Sequence, residues 1–180
     1  MSIIKLNNNA LSGLTSFTGS ASLGDMVFIS SATASGSASI DFTSGIDSTY
    51  KEYKFFFINM HPATDGADFQ FQGNAAGESG FNETITSSVF KGGHDEGDVS
   101  GQAKIQYESD SDLAQGTGFQ TLGISSGSDN DQSTTGYLHL FNPSSTTFVK
   151  HFIARIQSAQ QNNYSFDTYI AGYFNTTSAI

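Results

Sequence analysis

The densest group of metal-ligating side chains in the sequence is the run His94-Asp95-Glu96-Gly97-Asp98. An imidazole and three carboxylates lie within five residues, and carboxylate oxygens are the ligands that Ca²⁺ prefers. The sequence therefore offers His94, Asp95, Glu96 and Asp98 as a candidate calcium site on a predicted loop, residues 92–98. An ordinary solvated acidic loop is the alternative, and it stays open. No other cofactor is expected.

Four tyrosines, Tyr107, Tyr137, Tyr164 and Tyr169, are candidates for binding a glycan or a protein partner. Aromatic rings stack on the apolar faces of sugars, while nearby amide side chains hydrogen-bond sugar hydroxyls. Each tyrosine can equally pack in a core or at the edge of a sheet, and this alternative also stays open.

Catalysis finds little support in the sequence. The chain has no Cys, and its many Ser residues lie in predicted turns without an adjacent His, so a nucleophile and its base are not paired. The carboxylates lie almost wholly in predicted loops rather than on two sides of a cleft. We therefore expect no enzymatic activity.

The charge balance excludes further classes of function. The chain carries 17 acidic and 7 basic side chains, a net charge of −10, whereas nucleic-acid binding needs clustered Lys and Arg. No segment reaches the roughly 18 apolar residues of a membrane span. The N-terminal residues lack the charged start and apolar centre of a secretory signal, which predicts synthesis in the cytoplasm.

These candidate residues need a scaffold, and the composition indicates which kind. The 180 residues include 19 Gly, only 2 Pro and 13% charged residues, a profile typical of many short strands joined by small-residue turns. We predict an all-β fold of eight to ten strands, an antiparallel β-sandwich of jelly-roll type, over residues 26–180. Residues 1–25 are polar and are predicted to form an extended N-terminal arm.

The strongest strand signal covers residues 50–60. Tyr53, Phe55 and Phe57 alternate with Phe56 and Ile58, so large apolar side chains point to both faces of the predicted strand. Such a strand is either central and covered on both sides, or covered by the core on one side and by a neighbouring subunit on the other. We expect oligomer or core packing at these five residues, and a homotrimer as the assembly.

The remaining strands are predicted from alternation of apolar and polar residues. Phe69 and Phe71 should point inward, and Tyr164, Phe166, Ile170 and Phe174 should share one face. The predicted strands cover residues 26–33, 38–42, 67–72, 85–90, 104–107, 119–124, 136–141, 148–156 and 164–174.

Several of these segments resemble recurrent segments of tailed-bacteriophage virion proteins, which are common in phages of marine bacteria and cyanobacteria. They are residues 40–65, residues 136–147 (Gly-Tyr-Leu-His-Leu-Phe-Asn-Pro-Ser-Ser-Thr-Thr) and residues 170–180 (Ile-Ala-Gly-Tyr-Phe-Asn-Thr-Thr-Ser-Ala-Ile). Residues 4–11 are similar to the lead-in of such proteins. The resemblance implies a non-enzymatic, usually oligomeric virion component, either tail-associated or decorating the head, and it transfers no catalytic residue.

Two functions therefore remain. The first is a structural or receptor-binding virion protein, made in the host cytoplasm, whose arm contacts other virion proteins and whose tyrosines contact host glycans. The second is a soluble carbohydrate-binding β-sandwich module that uses the tyrosines and, with calcium, the acidic loops.

Overall fold

A computed structural model describes residues 26–99 and 103–180. The chain divides into two units, Met1–Ser31 and Ala32–Ile180, and the predicted arm of residues 1–25 lies outside the described residues. The described residues contain no helix and nine strands: β1 (Glu52–Met60), β2 (Ala67–Phe71), β3 (Ile85–Asp95), β4 (Lys104–Tyr107), β5 (Ala114–Gly116), β6 (Gln120–Ser126), β7 (Thr134–Phe141), β8 (Lys150–Gln160) and β9 (Tyr164–Phe174). The all-β prediction is confirmed.

Six of the strands form the main sheet, in the order β1-β7-β8-β9-β3-β4, and every neighbouring pair is antiparallel. The two middle strands, β8 and β9, pair without interruption from Lys150↔Phe174 to Gln160↔Tyr164. The short strand β5 pairs with β3 beside β4.

The two faces of the main sheet differ sharply because side chains alternate along each strand. On β8, Phe152, Ala154 and Ile156 are buried, whereas Ile153 and Arg155 between them are exposed. The buried side is called the inner face here, and the side that carries Ile153 and Arg155 the outer face.

A second layer, the antiparallel pair β2–β6, covers the inner face. The ring of Phe71 meets those of Phe152 and Phe174 edge-on, at centroid distances of 4.9 and 5.8 Å, and Phe69 meets Phe57 at 4.8 Å. The predicted inward orientation of Phe69 and Phe71 is confirmed. Edge-to-face aromatic pairs add to the free energy gained by burial. Phe69 and Phe71 of β2 therefore help to hold the second layer against the main sheet.

The two layers also meet through hydrogen bonds at one corner. Ser126 of β6 pairs with Gln160 of β8, and the buried hydroxyl of Thr134 bonds the hydroxyls of both Ser126 (2.8 Å) and Ser158 (3.0 Å). The molecule is therefore a two-layer antiparallel β-sandwich whose layers share one hydrogen-bonded network, and the predicted fold class is confirmed.

Lys150 is fully buried on the inner face at the start of β8. Its ammonium donates to the carbonyl oxygens of Phe148 (2.8 Å) and Thr176 (3.1 Å), and burial lowers the pKa of this amine. Because its two partners lie in the β7–β8 loop and just beyond β9, Lys150 ties the C-terminal residues to the sandwich.

Three predictions about local structure were wrong. Residues 26–33 and 38–42 form no strand, because β-prone residues need a neighbouring backbone to pair with, and within the described residues none pairs with them. The predicted loop at residues 92–98 begins with strand, because β3 pairs with β9 as far as Asp95↔Tyr164. Of the two placements left open for the strongest predicted strand, the central one is excluded, because β1 lies at the edge of the main sheet with the core against one of its faces.

Gly172 on β9 provides a test of the packing. A Cβ at this position would lie 2.7 Å from Cζ of Phe152 and 2.7 Å from the carbonyl oxygen of Thr86. We expect Gly172→Ala to lower the free energy of unfolding by about 1–3 kcal/mol, the usual cost of overpacking, as measured by urea denaturation. Gly92→Ala on β3 is the matched control, since a Cβ there meets no atom within 4 Å. An equal effect of the two substitutions would contradict the inner-face packing.

Candidate functional site

A single row of large side chains crosses the outer face from one edge of the main sheet to the other. The pairing registers place these residues directly opposite one another, strand by strand: Tyr107, Phe90, Tyr169, Arg155, Tyr137 and Phe56. We call this set the cross-strand row. It contains five aromatic rings and one guanidinium.

Stacking and cation–π contacts join several side chains of the row. Phe90 and Tyr169 are stacked, with centroids 4.9 Å apart and an interplanar angle of 3°. The guanidinium carbon of Arg155 lies 5.0 Å from the centre of the Tyr169 ring. At the other end, the Nζ of Lys54 lies 4.4 Å from the centre of the Tyr137 ring and 5.0 Å from that of Phe56. One stacked pair and three cation–π contacts therefore hold the middle and the β1 end of the row.

Asp167 fixes the centre of the row. Its carboxylate accepts two hydrogen bonds from Arg155, at 3.0 Å from Nε and 2.7 Å from Nη2, and a third from the Tyr169 hydroxyl at 3.0 Å. The bond from Arg155 is the main reason that the pKa of Asp167 is lowered, and the bond to Asp167 raises the pKa of Tyr169. A bidentate pair of this kind holds its planar partners in one orientation.

Exposed apolar side chains concentrate at the two edges of the same face. Phe56 and Ile58 are 54% and 73% exposed on β1, and Ile105 and Tyr107 are 82% and 58% exposed on β4. Ile153, also exposed, lies between them on β8. Large apolar side chains scattered singly are ordinary on a protein surface, but a cluster on one face indicates an interaction surface.

The outer face is also electrically balanced. Among the outward-facing residues of the six strands, two cations, Lys54 and Arg155, match two carboxylates, Glu52 and Asp167. The carboxylate of Glu52 also lies 2.6 Å from Nδ1 of His139. The net charge of −10 therefore resides elsewhere on the chain.

Three of the four tyrosines predicted as binding residues are brought together, since Tyr107, Tyr137 and Tyr169 all belong to the cross-strand row. Tyr164 does not join them, because alternation along β9 places its side chain on the inner side of the sheet. It pairs with Asp95 of β3 and Gln160 of β8. Its ring lies 5.6 Å from that of Phe166.

The five residues predicted for oligomer or core packing divide between the faces. Tyr53 is buried, and Phe55 and Phe57 pack against the core, whereas Phe56 and Ile58 are exposed on the outer face. The predicted alternation is confirmed, and it leaves two of the five side chains available to a partner.

The predicted calcium site is not assembled, which corrects the interpretation of His94, Asp95, Glu96 and Asp98. His94 and Asp95 are consecutive strand residues and point to opposite faces, and Asp95 instead accepts a hydrogen bond from the Gly97 backbone at 2.7 Å. Across residues 26–99 and 103–180, no three His, Asp or Glu side chains lie close enough together to share a metal ion.

A shallow depression of ≈ 470 Å³ lies on the outer face beside the β4 end of the row. Gly92 forms its floor, where no side chain projects, and His94, Ile105, Ser165 and Asp167 are among its walls. It is the feature of the outer face that best suits a small polar ligand.

Residues 123–127 form a Gly-x-Ser-x-Gly pattern around Ser125 at the end of β6, although the sequence was expected to hold no such pattern after a strand. The φ of Ser125, 48°, is unusual for a non-glycine residue. In a nucleophile elbow such a serine lies between a strand and a helix and bonds a histidine. Here its backbone N–H donates to Asp68 at 2.8 Å, and within the described residues no helix follows β6 and no histidine bonds Ser125.

Sequence reasoning also missed Phe90, Arg155 and Ile153 on the outer face. Each lies in a predicted strand, and its face follows from alternation with the buried residues on either side. The signal that was lacking is strand order, which decides that Arg155 lies between Tyr137 and Tyr169.

No protein-family model, curated protein or solved structure matches the chain. The described residues contain no helix that is long and apolar enough to span a bilayer.

The Arg155–Asp167 pair predicts a pH dependence of stability. Because the pKa of Asp167 is lowered in the folded state, its ionised form stabilises the fold above the ordinary carboxyl pKa, and this contribution is lost as the pH falls through the lowered value. We expect Asp167→Asn to reduce stability slightly at pH 7, since both partners are partly exposed. Urea denaturation should show the difference from wild type shrinking as the pH falls below about 4 and vanishing once the pH is below the lowered pKa of Asp167.

Asp98→Asn is the control, because the Asp98 side chain is almost fully exposed beside His94. It should change nothing at either pH. A difference between wild type and Asp167→Asn that persists in acid would contradict the assignment of the effect to the ionised carboxylate.

Proposed function

We propose that the chain is a non-enzymatic structural protein of a bacteriophage particle, either tail-associated in host recognition or decorating the head, that assembles as a homotrimer. The observation that supports an assembly role is the outer face, where six large side chains, Phe56, Ile58, Phe90, Ile105, Tyr107 and Ile153, are exposed together. Surfaces of this kind mark protein contacts. The virion part rests on the sequence resemblance of residues 40–65, 136–147 and 170–180.

The arrangement suits protein contact better than stacking on sugars. A sugar ring needs a free aromatic face to lie on, and the faces of Tyr137 and Tyr169 are occupied by Lys54, Phe90 and Arg155. The exposed apolar side chains of the same face, Phe56, Phe90 and Ile153, suit packing against another protein surface. The arm of residues 1–25 is proposed to contact other virion proteins.

Carbohydrate binding is the second candidate, favoured by one feature. The depression beside Gly92 lies next to Tyr107, the most exposed tyrosine of the row, and combines a polar wall with a nearby aromatic side chain. A sharp glycan-array signal from a monomeric protein, lost in Tyr107→Ala, would favour this function over the first.

The location of the protein tests the virion proposal directly. In phage particles that encode the chain, purified and washed at high salt, we expect mass spectrometry to find its peptides at a copy number that is a multiple of three. Gold-labelled antibody should mark either the tail or the head. Recovery of the protein only from the soluble lysate, with none in intact particles, would contradict the proposal.

A further inference from the structure

We infer that a second copy of this chain covers the outer face, with the β1 edge of one copy opposite the β4 edge of the other. The inference rests on the proposed structural role and specifies the partner and the surface. A face that packs on its own copy is two-fold and closes at two copies, so the proposed trimer needs a further contact elsewhere on the chain. The cross-strand row and the exposed apolar residues on either side of it are the contact.

The distribution of apolar side chains makes the face self-complementary. The β1 edge presents Phe56 and Ile58, the β4 edge presents Ile105 and Tyr107, and Arg155 lies near the midline between β8 and β9. When the two edges of different copies meet, apolar side chains face apolar side chains at the ends of the contact. The charged pair of each copy stays near the middle.

The charge of the chain favours this face over the rest of the surface. Two copies that each carry a net charge of −10 repel one another, and the repulsion is greatest where acidic side chains come together. Among the outward-facing strand residues two cations match two carboxylates, and the Asp112 carboxylate bonds the Tyr107 hydroxyl at the β4 end, so like-charge repulsion is lowest over the middle of this face.

The size of the face fits a small interface. Six strands spaced about 4.8 Å apart span roughly 24 Å, and the outward residues of β8 from His151 to Gln157 span roughly 20 Å. The flat area is therefore about 500 Å² per partner, or about 1,000 Å² for two copies, which is the lower bound of a biological interface and below the standard size.

A charge-pair experiment tests the arrangement. By light scattering, the wild-type chain should have a mass that is an even multiple of 19.1 kDa. Phe56→Lys on β1 and Ile105→Glu on β4 should each halve that mass, because each places a charge against an apolar partner. An equimolar mixture of the two variants should recover the wild-type mass, since the new lysine then faces the new glutamate.

Phe148→Lys is the matched control. Phe148 is 68% exposed but lies in the β7–β8 loop, off the sheet, so this variant should associate as wild type does. Circular dichroism should show the same β-rich spectrum for every variant, because all three positions are exposed. If Phe56→Lys unfolds, Ile58→Lys serves in its place.

A wild-type monomer would overturn the inference, and so would Phe56→Lys or Ile105→Glu associating like wild type. If the mixture of the two variants does not associate, the placement of the β1 edge of one copy against the β4 edge of the other is wrong. A dimer that meets all these tests would support the inference while contradicting the proposed trimer. Absence from purified particles would contradict the virion role and leave the mass result unchanged, so the two failures are distinguishable.

Discussion

The register between β8 and β9 is the constraint on which the rest of the structure depends. Uninterrupted pairing from Lys150↔Phe174 to Gln160↔Tyr164 places Phe152 and Ile170 on the inner face and Arg155 and Tyr169 on the outer face. A shift of one residue would exchange the faces, exposing the core and burying a guanidinium. Burial of apolar residues such as Phe152 and Ile170 therefore selects one register. The same register determines which side chains lie on the outer face.

Once the register is set, the neighbouring strands extend the same row outward. Tyr137 on β7 and Phe90 on β3 come to lie beside Arg155 and Tyr169 because their own inner-face neighbours, Leu138 and Val89, are buried. Stacking and cation–π contacts then hold Tyr169 and Tyr137 in place, and Asp167 orients the guanidinium of Arg155. In this surface the charges of the strand residues balance, and faces of these two rings are covered by neighbouring side chains.

Local alternation made much of this predictable. The bounds of β9 and the inward side of β2 follow from strict period-two patterns, and Tyr164 and Tyr169 could have been separated because five residues along a strand reverse the face. Strand order and partners are non-local, so the sequence did not reveal that β1 lies at an edge, that His94 and Asp95 belong to a paired strand, or that Phe90 meets Tyr169. The pattern at residues 38–42 predicted a strand that forms nowhere, because pattern alone does not supply a partner.

The most direct test of the central claim is a disulfide between copies, in a chain that has no cysteine of its own. Phe56 and Ile105 lie on opposite edges, roughly 24 Å apart in one copy, too far for the Cα separation below about 7 Å that a disulfide requires. With cysteine at both positions, oxidation should yield covalently linked copies in high yield on a non-reducing gel. A gel that shows uncrosslinked monomer alone would contradict the account. So would a variant with a single cysteine at Phe148 that crosslinks equally well.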